Sequence, residues 1–354
     1  MNSKRRTAMS EIMMKCDVFL GVRHIETMER PIPEPGPKEV LIKVMACGVC
    51  GSDVHIYEGD QGSTSTVPPQ IQGHEFSGIV VRTGSEATHC KVGDRVCVDP
   101  ADNCNECYYC QNGMMGHCEH MGAIGTNIDG GFAQFCKVPD RLVHHLADDV
   151  TFIQGAMAEP LACCINGIDR SDIKVSDNVV IYGGGMIGLL LLQLARLEGA
   201  ANVVLIEPVA SKRAVAEKLG ASLTIDPKRQ NVRQTLAEHG LQHIQVVIET
   251  CGIRQTSEEA IDIVDRRGTV VLFAVTKTDA AISLRTYELF QKELTLKGSY
   301  CSPYDMGRAV SLINAHRVDV TSMLAGTKPL EGLVSILADP AERAKGKWVI
   351  LPNE

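Results

Sequence analysis

Residues 179–188 read Val-Val-Ile-Tyr-Gly-Gly-Gly-Met-Ile-Gly, and this stretch decides the fold. The apolar run predicts a buried strand, the glycines predict a tight turn, and the residues from Met186 and Ile187 onward predict a helix. Gly183, Gly185 and Gly188 match G-x-G-x-x-G. In that pattern the glycines permit the turn, the approach of a diphosphate and close helix–strand packing. The stretch therefore predicts a dinucleotide site at a helix N-terminus.

An acidic residue follows this motif at the expected place. Glu207 ends the next predicted strand, 203–206. A carboxylate there hydrogen-bonds the ribose hydroxyls and repels a 2′-phosphate, so NAD is favoured over NADP. Lys212 and Arg213 follow closely and keep NADP open as an alternative.

The rest of the chain divides into two regions with different predicted secondary structure. Apolar strands at 203–206, 244–248 and 269–273 alternate with helical segments, which indicates a parallel sheet covered on both faces. The first 160 or so residues instead read as short strands with turns, typical of a barrel-like β domain. The tail loses the alternation, and 348–351 is a candidate closing strand of that domain. An α/β protein of two domains is expected from its 354 residues.

Composition excludes several classes of protein. A hydrophobic content of 44% and a charged content of 22% are those of a globular chain. A net charge of −8 argues against nucleic acid as a partner. Neither a signal peptide nor an apolar run of about 20 residues is found, so we expect a cytoplasmic protein without a membrane partner. Residues 1–13 are expected to form an irregular N-terminal arm.

Four of the 14 cysteines lie in one short segment. Cys104, Cys107, Cys110 and Cys118 have the spacing C-x2-C-x2-C-x7-C, which lets four thiolates close a tetrahedral shell around zinc. Such a shell has no open position, so the predicted role is structural. An iron–sulfur cluster uses similar spacings and is the rival interpretation. A zinc-ribbon module for nucleic acid is a third, disfavoured by the net charge and the intact dinucleotide motif.

A second metal site is suggested by Cys50, His74, Glu75 and Glu159. One thiolate, one imidazole and one carboxylate are suitable zinc ligands that leave a position for water or substrate. Taken singly, Cys50 and His74 are also compatible with ordinary buried residues. Their combination with glycine-rich segments favours the metal interpretation.

These motifs together resemble the zinc-dependent medium-chain alcohol dehydrogenases, especially the polyol and threonine dehydrogenase branch. The resemblance is carried by G-V-C-G-S-D-V-H (48–55), G-H-E-F-S-G (73–78), the four-cysteine loop, A-E-P-L-A (158–162) and the glycine motif. It implies a GroES-like β-rich catalytic domain over 14–165 and 300–354, and a Rossmann NAD-binding domain over 166–299. It also implies two zinc ions per chain, one catalytic and one structural.

The resemblance also suggests roles for individual residues. Cys50 and His74 are implied zinc ligands, and Glu75 and Glu159 compete for the third place. Asp53 would orient the zinc-bound imidazole, while Ser52 and His55 would carry the alcohol proton to solvent. Cys47 misses the family's ligand position and is read as structural. Tyr57 and Phe132 resemble pocket-lining positions, with loop packing an equal alternative, and Cys301 stands where sorbitol-type enzymes often have arginine.

We therefore expect an enzyme that reversibly oxidises a secondary alcohol of a polyol or sugar derivative to a ketone with NAD. Loss of the arginine puts sorbitol itself in doubt. L-Threonine 3-dehydrogenase and vicinal-diol dehydrogenase activities are alternatives, and a non-catalytic NAD-binding relative is a different class. Relatives assemble by extending a sheet edge, so a homodimer or homotetramer is expected. Residues 269–275 are either that edge or an interior strand.

Overall fold

The computed structural model describes residues 12–60 and 64–354, so most of the predicted arm over 1–13 lies outside it. Within the described residues the chain forms four sheets. The strands are β1 (Met13–Gly21), β2 (His24–Pro31), β3 (Glu39–Gly48), β4 (Gln70–Ile71), β5 (Glu75–Thr83), β6 (Arg95–Val98), β7 (Ala101–Asp102), β8 (Gly122–Ala123), β9 (Phe135–Pro139), β10 (Val143–His145), β11 (Asn178–Tyr182), β12 (Asn202–Ile206), β13 (Leu223–Ile225), β14 (Val246–Glu249), β15 (Thr269–Leu272), β16 (Thr295–Gly298), β17 (Leu324–Lys328) and β18 (Lys347–Ile350).

Twelve α-helices are found in the same described residues. They are α1 (Gly51–Glu58), α2 (Tyr108–Gln111), α3 (Phe152–Ala156), α4 (Ala158–Ser171), α5 (Met186–Glu198), α6 (Ala210–Lys218), α7 (Val232–Glu238), α8 (Arg254–Ile263), α9 (Thr286–Lys292), α10 (Met306–Asn314), α11 (Leu333–Ala338) and α12 (Pro340–Ala344). None of these helices is both long enough and apolar enough to cross a membrane.

A six-stranded parallel sheet has the order β13-β12-β11-β14-β15-β16. The chain reverses direction through the sheet between β11 and β14, which is the switch point where ligands bind in such folds. The apolar residues of its central strands are almost all buried, as their high Val and Ile content predicts. The predicted parallel α/β sheet is therefore confirmed.

The other large sheet is mostly antiparallel and has the order β10-β6-β5-β3-β18-β17, with β9 also paired to β3. Strand β18 pairs with β3 through Val349 opposite Gly48 and Ile350 opposite Cys47. The last strand of the chain is thus an interior strand of a sheet begun near residue 39. The predicted β-rich unit is confirmed, and its closing strand spans 347–350, one residue earlier than the predicted 348–351.

The glycine turn after β11 has the geometry that its sequence requires. Gly183 has φ +103°, a conformation that residues with a Cβ rarely adopt. A Cβ at Gly188 would lie 1.9 Å from the Gly183 carbonyl oxygen, whereas one at Gly185 would meet no atom within 4 Å. Gly188 is therefore needed for packing, and the open space is at Gly185.

The two interpretations of 269–275 are resolved by the pairing. Strand β15 lies between β14 and β16, so it is interior, and β16 is the edge among the described residues. Beside this edge, α9 exposes Tyr287 (69%) and Phe290 (79%) to solvent.

Candidate functional site

Three predicted ligands converge in the β-rich unit. The thiol of Cys50, a ring nitrogen of His74 and a carboxylate oxygen of Glu75 all lie within 4.8 Å of one another. Cys50 is the N-cap of α1, Glu75 is the first residue of β5, and His74 immediately precedes that strand. A helix start and a strand start thus bring together residues about 25 positions apart. The set of one sulfur, one nitrogen and one oxygen donor suits zinc and leaves a position free for substrate.

Asp53 supports two members of this cluster. Its Oδ2 accepts a hydrogen bond of 2.9 Å from the Cys50 backbone N–H, and its Oδ1 lies 3.6 Å from Nδ1 of His74. The side chain of Asp53 is fully buried. Contact with Nδ1 leaves Nε2 available to a metal ion, an arrangement that commonly orients a ligating histidine.

Glu159 lies in the first turn of α4 and is not part of the three-residue cluster. The thiol of Cys163, one turn further along the helix, donates a hydrogen bond of 3.4 Å to its Oε1. Burial raises the pKa of the Glu159 carboxyl, His74 acts in the opposite direction with a smaller effect than burial, and Glu75 raises the pKa by less than His74 lowers it. Glu159 is therefore close enough to interact electrostatically with His74 and Glu75, but it is not one of the three residues whose donor atoms converge.

Lys347 was not predicted as a site residue. Its ammonium forms a buried ion pair with Glu75 and touches both carboxylate oxygens. The only sign in the sequence is a lysine in an otherwise apolar closing strand. Because the partners are 272 positions apart, no local pattern could have identified the pair.

Ser52 and His55 both lie on α1. Ser52 Oγ accepts a long hydrogen bond of 3.7 Å from the Cys50 thiol. Nδ1 of His55 lies 3.5 Å from Oδ2 of Asp60, towards solvent. Ser52 thus lies beside the cluster, and His55 lies towards the surface.

Tyr57 and Phe132 are buried, with 5% and 0% exposure, in one hydrophobic cluster. Phe132 packs so closely on Gly73 that a Cβ there would lie 2.9 Å from its ring. This burial favours the packing interpretation, and substrate contact by either residue stays a prediction.

The four predicted cysteines also converge. Their sulfur atoms all lie within 4.8 Å of one another, with 3.4 Å between Cys104 and Cys118 and 3.9 Å between Cys104 and Cys110. Tetrahedral zinc with Zn–S bonds of about 2.3 Å requires sulfur separations of about 3.8 Å. Backbone N–H groups of Cys104 and Cys107 point at sulfur atoms of the set, as they do around bound thiolates. The four-cysteine loop therefore fits one zinc ion with no open position.

At the predicted dinucleotide site, Glu207 contacts the glycine turn directly. Its Oε2 accepts a 2.7 Å hydrogen bond from the Gly184 N–H, and its Oε1 accepts one of 2.8 Å from Val209. Arg213 donates to the Glu207 carbonyl oxygen at 2.7 Å and pairs with Asp226 at 3.4 Å. The Arg213 side chain is thus already bonded to protein partners, while no side-chain hydrogen bond or ion pair of Lys212 is found among the described residues.

Comparison with known proteins agrees with this arrangement. Residues 36–148 match the alcohol dehydrogenase GroES-like domain, and residues 186–315 match the zinc-binding dehydrogenase family. D-arabinitol dehydrogenase 1 of Uromyces fabae is 31% identical over 335 residues, covering 94% of this chain and 95% of that protein. D-arabitol-phosphate dehydrogenase of Enterococcus avium is 31% identical over 321 residues, covering 88% and 89%.

Among solved structures, a zinc-binding dehydrogenase of Sinorhizobium meliloti 1021 with bound NADP superposes with a TM-score of 0.92. It is 35% identical, and the match covers 96% of this chain and 100% of that one. The chain belongs to the zinc-dependent medium-chain alcohol dehydrogenase family. It is an NAD(P)-dependent dehydrogenase, as the resemblance of its motifs predicted.

Proposed function

We propose that this dehydrogenase oxidises a secondary alcohol of a polyol or sugar derivative to a ketone, reversibly and with NAD. The observation that carries the proposal is the convergence of Cys50, His74 and Glu75 in a chain that also has an intact dinucleotide turn. The names of the two curated relatives support a polyol or polyol phosphate as the substrate class.

Cys50 and His74 hold the catalytic zinc in this proposal, and Glu75 is the third protein ligand because its carboxylate lies in the same cluster. When bound, zinc supplies a Lewis acid for the substrate oxygen, and NAD supplies the hydride acceptor. Asp53 orients the His74 ring. Ser52 receives the alcohol proton, and His55, paired with Asp60 near the surface, passes it to solvent.

Glu159 lies on α4 near the cluster, and burial raises the pKa of its carboxyl. We propose that it acts on the substrate or a water molecule rather than as a permanent ligand. The thiol of Cys163 keeps its carboxylate in place.

For the cofactor, we propose that Gly183, Gly185, Met186, Ile187 and Gly188 form the diphosphate site, with NAD preferred over NADP. Glu207 supports this preference because a buried carboxylate beside the turn repels a 2′-phosphate. Because Arg213 forms an ion pair with Asp226, it is less available to bind the 2′-phosphate of NADP, and Lys212 is the remaining candidate.

We also propose that Cys104, Cys107, Cys110 and Cys118 bind the second, structural zinc. The domain division over 14–165 with 300–354, and over 166–299, remains a proposal. A homodimer or homotetramer joined at the β16 edge is proposed from the exposed Tyr287 and Phe290 beside it. All 14 cysteines are unbridged, which supports a cytoplasmic location.

The test is NADH formation with a panel of pentitols, hexitols, cyclitols, vicinal diols and L-threonine. Wild type is compared with Cys50→Ser, and Cys90→Ser, a partly buried cysteine outside both clusters, is the control. We expect Cys50→Ser to lose at least about 10³-fold in kcat/KM, because a Lewis acid contributes several kcal/mol. Unchanged turnover in Cys50→Ser contradicts the proposed zinc site.

A further inference from the structure

One face of α4 connects the metal cluster to the end of the cofactor sheet. Glu159, Cys163 and Asn166 lie at successive turns of this helix. The side chain of Asn166 donates hydrogen bonds to the carbonyl oxygens of Tyr300 at 3.1 Å and Cys301 at 2.8 Å. The loop that follows β16 is thereby fastened beside the helix that carries Glu159.

A cavity of about 480 Å³ opens at this loop. Its walls include Thr64, Tyr109, Gly116, His117, Met121 and Tyr300. The backbone at Gly116 runs close to the loop, since a Cβ there would lie 3.5 Å from the Tyr300 carbonyl oxygen and 3.7 Å from Cys301. The cavity therefore lies between the four-cysteine loop and the loop that follows β16. Cys301 in the latter loop is close enough to His74 and Glu159 for their charges to affect the pKa of its thiol, which places this loop near the metal cluster.

Aromatic rings form one wall of this cavity. The imidazole of His117 is stacked on the ring of Tyr300 with centroids 5.5 Å apart and planes 21° apart. The ring of Tyr109 lies 6.0 Å from His117 at 50°. Rings of this kind offer a broad apolar face with polar atoms at the edge, which suits the C–H face of a sugar or polyol carbon chain.

The same cavity lacks a fixed positive charge. No Lys or Arg of the described residues lines it. The Thr64 hydroxyl oxygen is buried without a partner in the described part of the chain. A hydroxyl group of a ligand can satisfy it, whereas a phosphate or carboxylate would lose hydration without gaining a cation.

We propose that this cavity receives the non-reacting end of the substrate and selects an uncharged polyol or sugar ring over its phosphate ester or sugar acid. His117 is the specificity-determining residue, because it lies in the middle of the aromatic wall. This inference rests on the proposed function and narrows its substrate class.

The first test compares kcat/KM for a pentitol, the same pentitol phosphate and the corresponding sugar acid. We expect the neutral compound to be favoured by at least about 100-fold, because a charged group would be left unpaired. Equal or better turnover of the phosphate or the acid overturns the inference and leaves the proposed function standing. No turnover of any alcohol by zinc-loaded enzyme contradicts the proposed function itself, and the inference falls with it.

The second test replaces His117 by Ala and by Arg. His117→Ala should raise KM for the neutral polyol about 10-fold with little change in kcat, because the ring contributes binding rather than chemistry. His117→Arg should shift the ratio of kcat/KM towards the phosphate by about 10-fold or more, because arginine pairs with phosphate.

His120→Ala is the matched control, since His120 is exposed on the same loop and outside the cavity wall. Metal content is measured for each variant because His117 precedes Cys118. If His117→Ala loses metal, Tyr109→Leu tests the same wall and should also raise KM. If His117→Ala keeps its metal and its KM is unchanged, the assignment of this wall to substrate binding is overturned. If His117→Ala loses metal, an unchanged KM in Tyr109→Leu overturns the same assignment.

Discussion

Nζ of Lys347 lies 2.6 Å from Oε1 of Glu75, and it also contacts Oε2. The two side chains are only 8% and 1% exposed. Gly48 on the adjoining strand makes this possible, because a Cβ there would lie 2.2 Å from Glu75 Oε2. The ion pair fixes the position of the Glu75 carboxylate near Cys50 and His74. It also neutralises the negative charge of Glu75 inside the protein.

Lys347→Met should lower the free energy of unfolding of the metal-free protein by about 3–5 kcal/mol, because the Glu75 carboxylate is left buried without its partner. Urea unfolding measures this change. Lys345→Met is the control, since Lys345 is 56% exposed and its loss should cost less than about 1 kcal/mol. Adding Glu75→Gln to Lys347→Met should recover part of the loss, and equal effects of the two single lysine variants would refute the role given to this pair.

Glu207→Gln should reduce the preference for NAD over NADP by about 10-fold, because it removes the negative charge and keeps an oxygen that can accept from Gly184. The ratio of kcat/KM for the two cofactors gives the result. Glu198→Gln, an exposed position at the end of α5, should leave the ratio as it is. A wild-type enzyme that already prefers NADP would show the cofactor assignment to be wrong.

Cys110→Ser should remove one of two zinc ions per chain and lower Tm by about 5 °C or more, because an open shell no longer closes the loop. Metal analysis and calorimetry on the same sample measure both effects. Cys90→Ser should change neither quantity. Two zinc ions retained in Cys110→Ser would argue against the four-sulfur site.

Asp17 should make stability fall as pH rises. Burial raises the pKa of its carboxyl to about 7, despite a 2.6 Å hydrogen bond from the Thr27 hydroxyl that acts in the opposite direction. The native state therefore keeps a proton that the unfolded chain releases near pH 4. The stabilisation is complete below that value and is lost as pH rises through 7.

Asp17→Asn should remove this dependence and be more stable than wild type at pH 8 by about 2–3 kcal/mol. Denaturant unfolding between pH 5 and pH 8 tests the difference, with the exposed Asp148→Asn as control. Parallel pH profiles for wild type and Asp17→Asn would show that the carboxyl is ionised throughout.

The parts of the molecule predicted from sequence are those whose residues are close along the chain. The turn at Gly183 and the loop from Cys104 to Cys118 each carry their chemistry in a short spacing. The Lys347–Glu75 pair and the His117–Tyr300 stack each join segments that are far apart in the sequence. No pattern in the sequence around Lys347 or His117 indicates which residue is its partner. The sheet edge was ambiguous for a related reason, since β16 contains Lys297 and lacks the apolar run of the interior strands.

The interior position of β18 has a consequence for folding. This strand inserts between β3 and β17, and β3 lies far earlier in the sequence. Until β18 docks, the facing edges of those two strands present unpaired backbone groups, and the Glu75 carboxylate lacks the Lys347 ammonium. Closure of the sheet therefore depends on a pairing of high sequence separation, and the same step supplies the charge that neutralises Glu75.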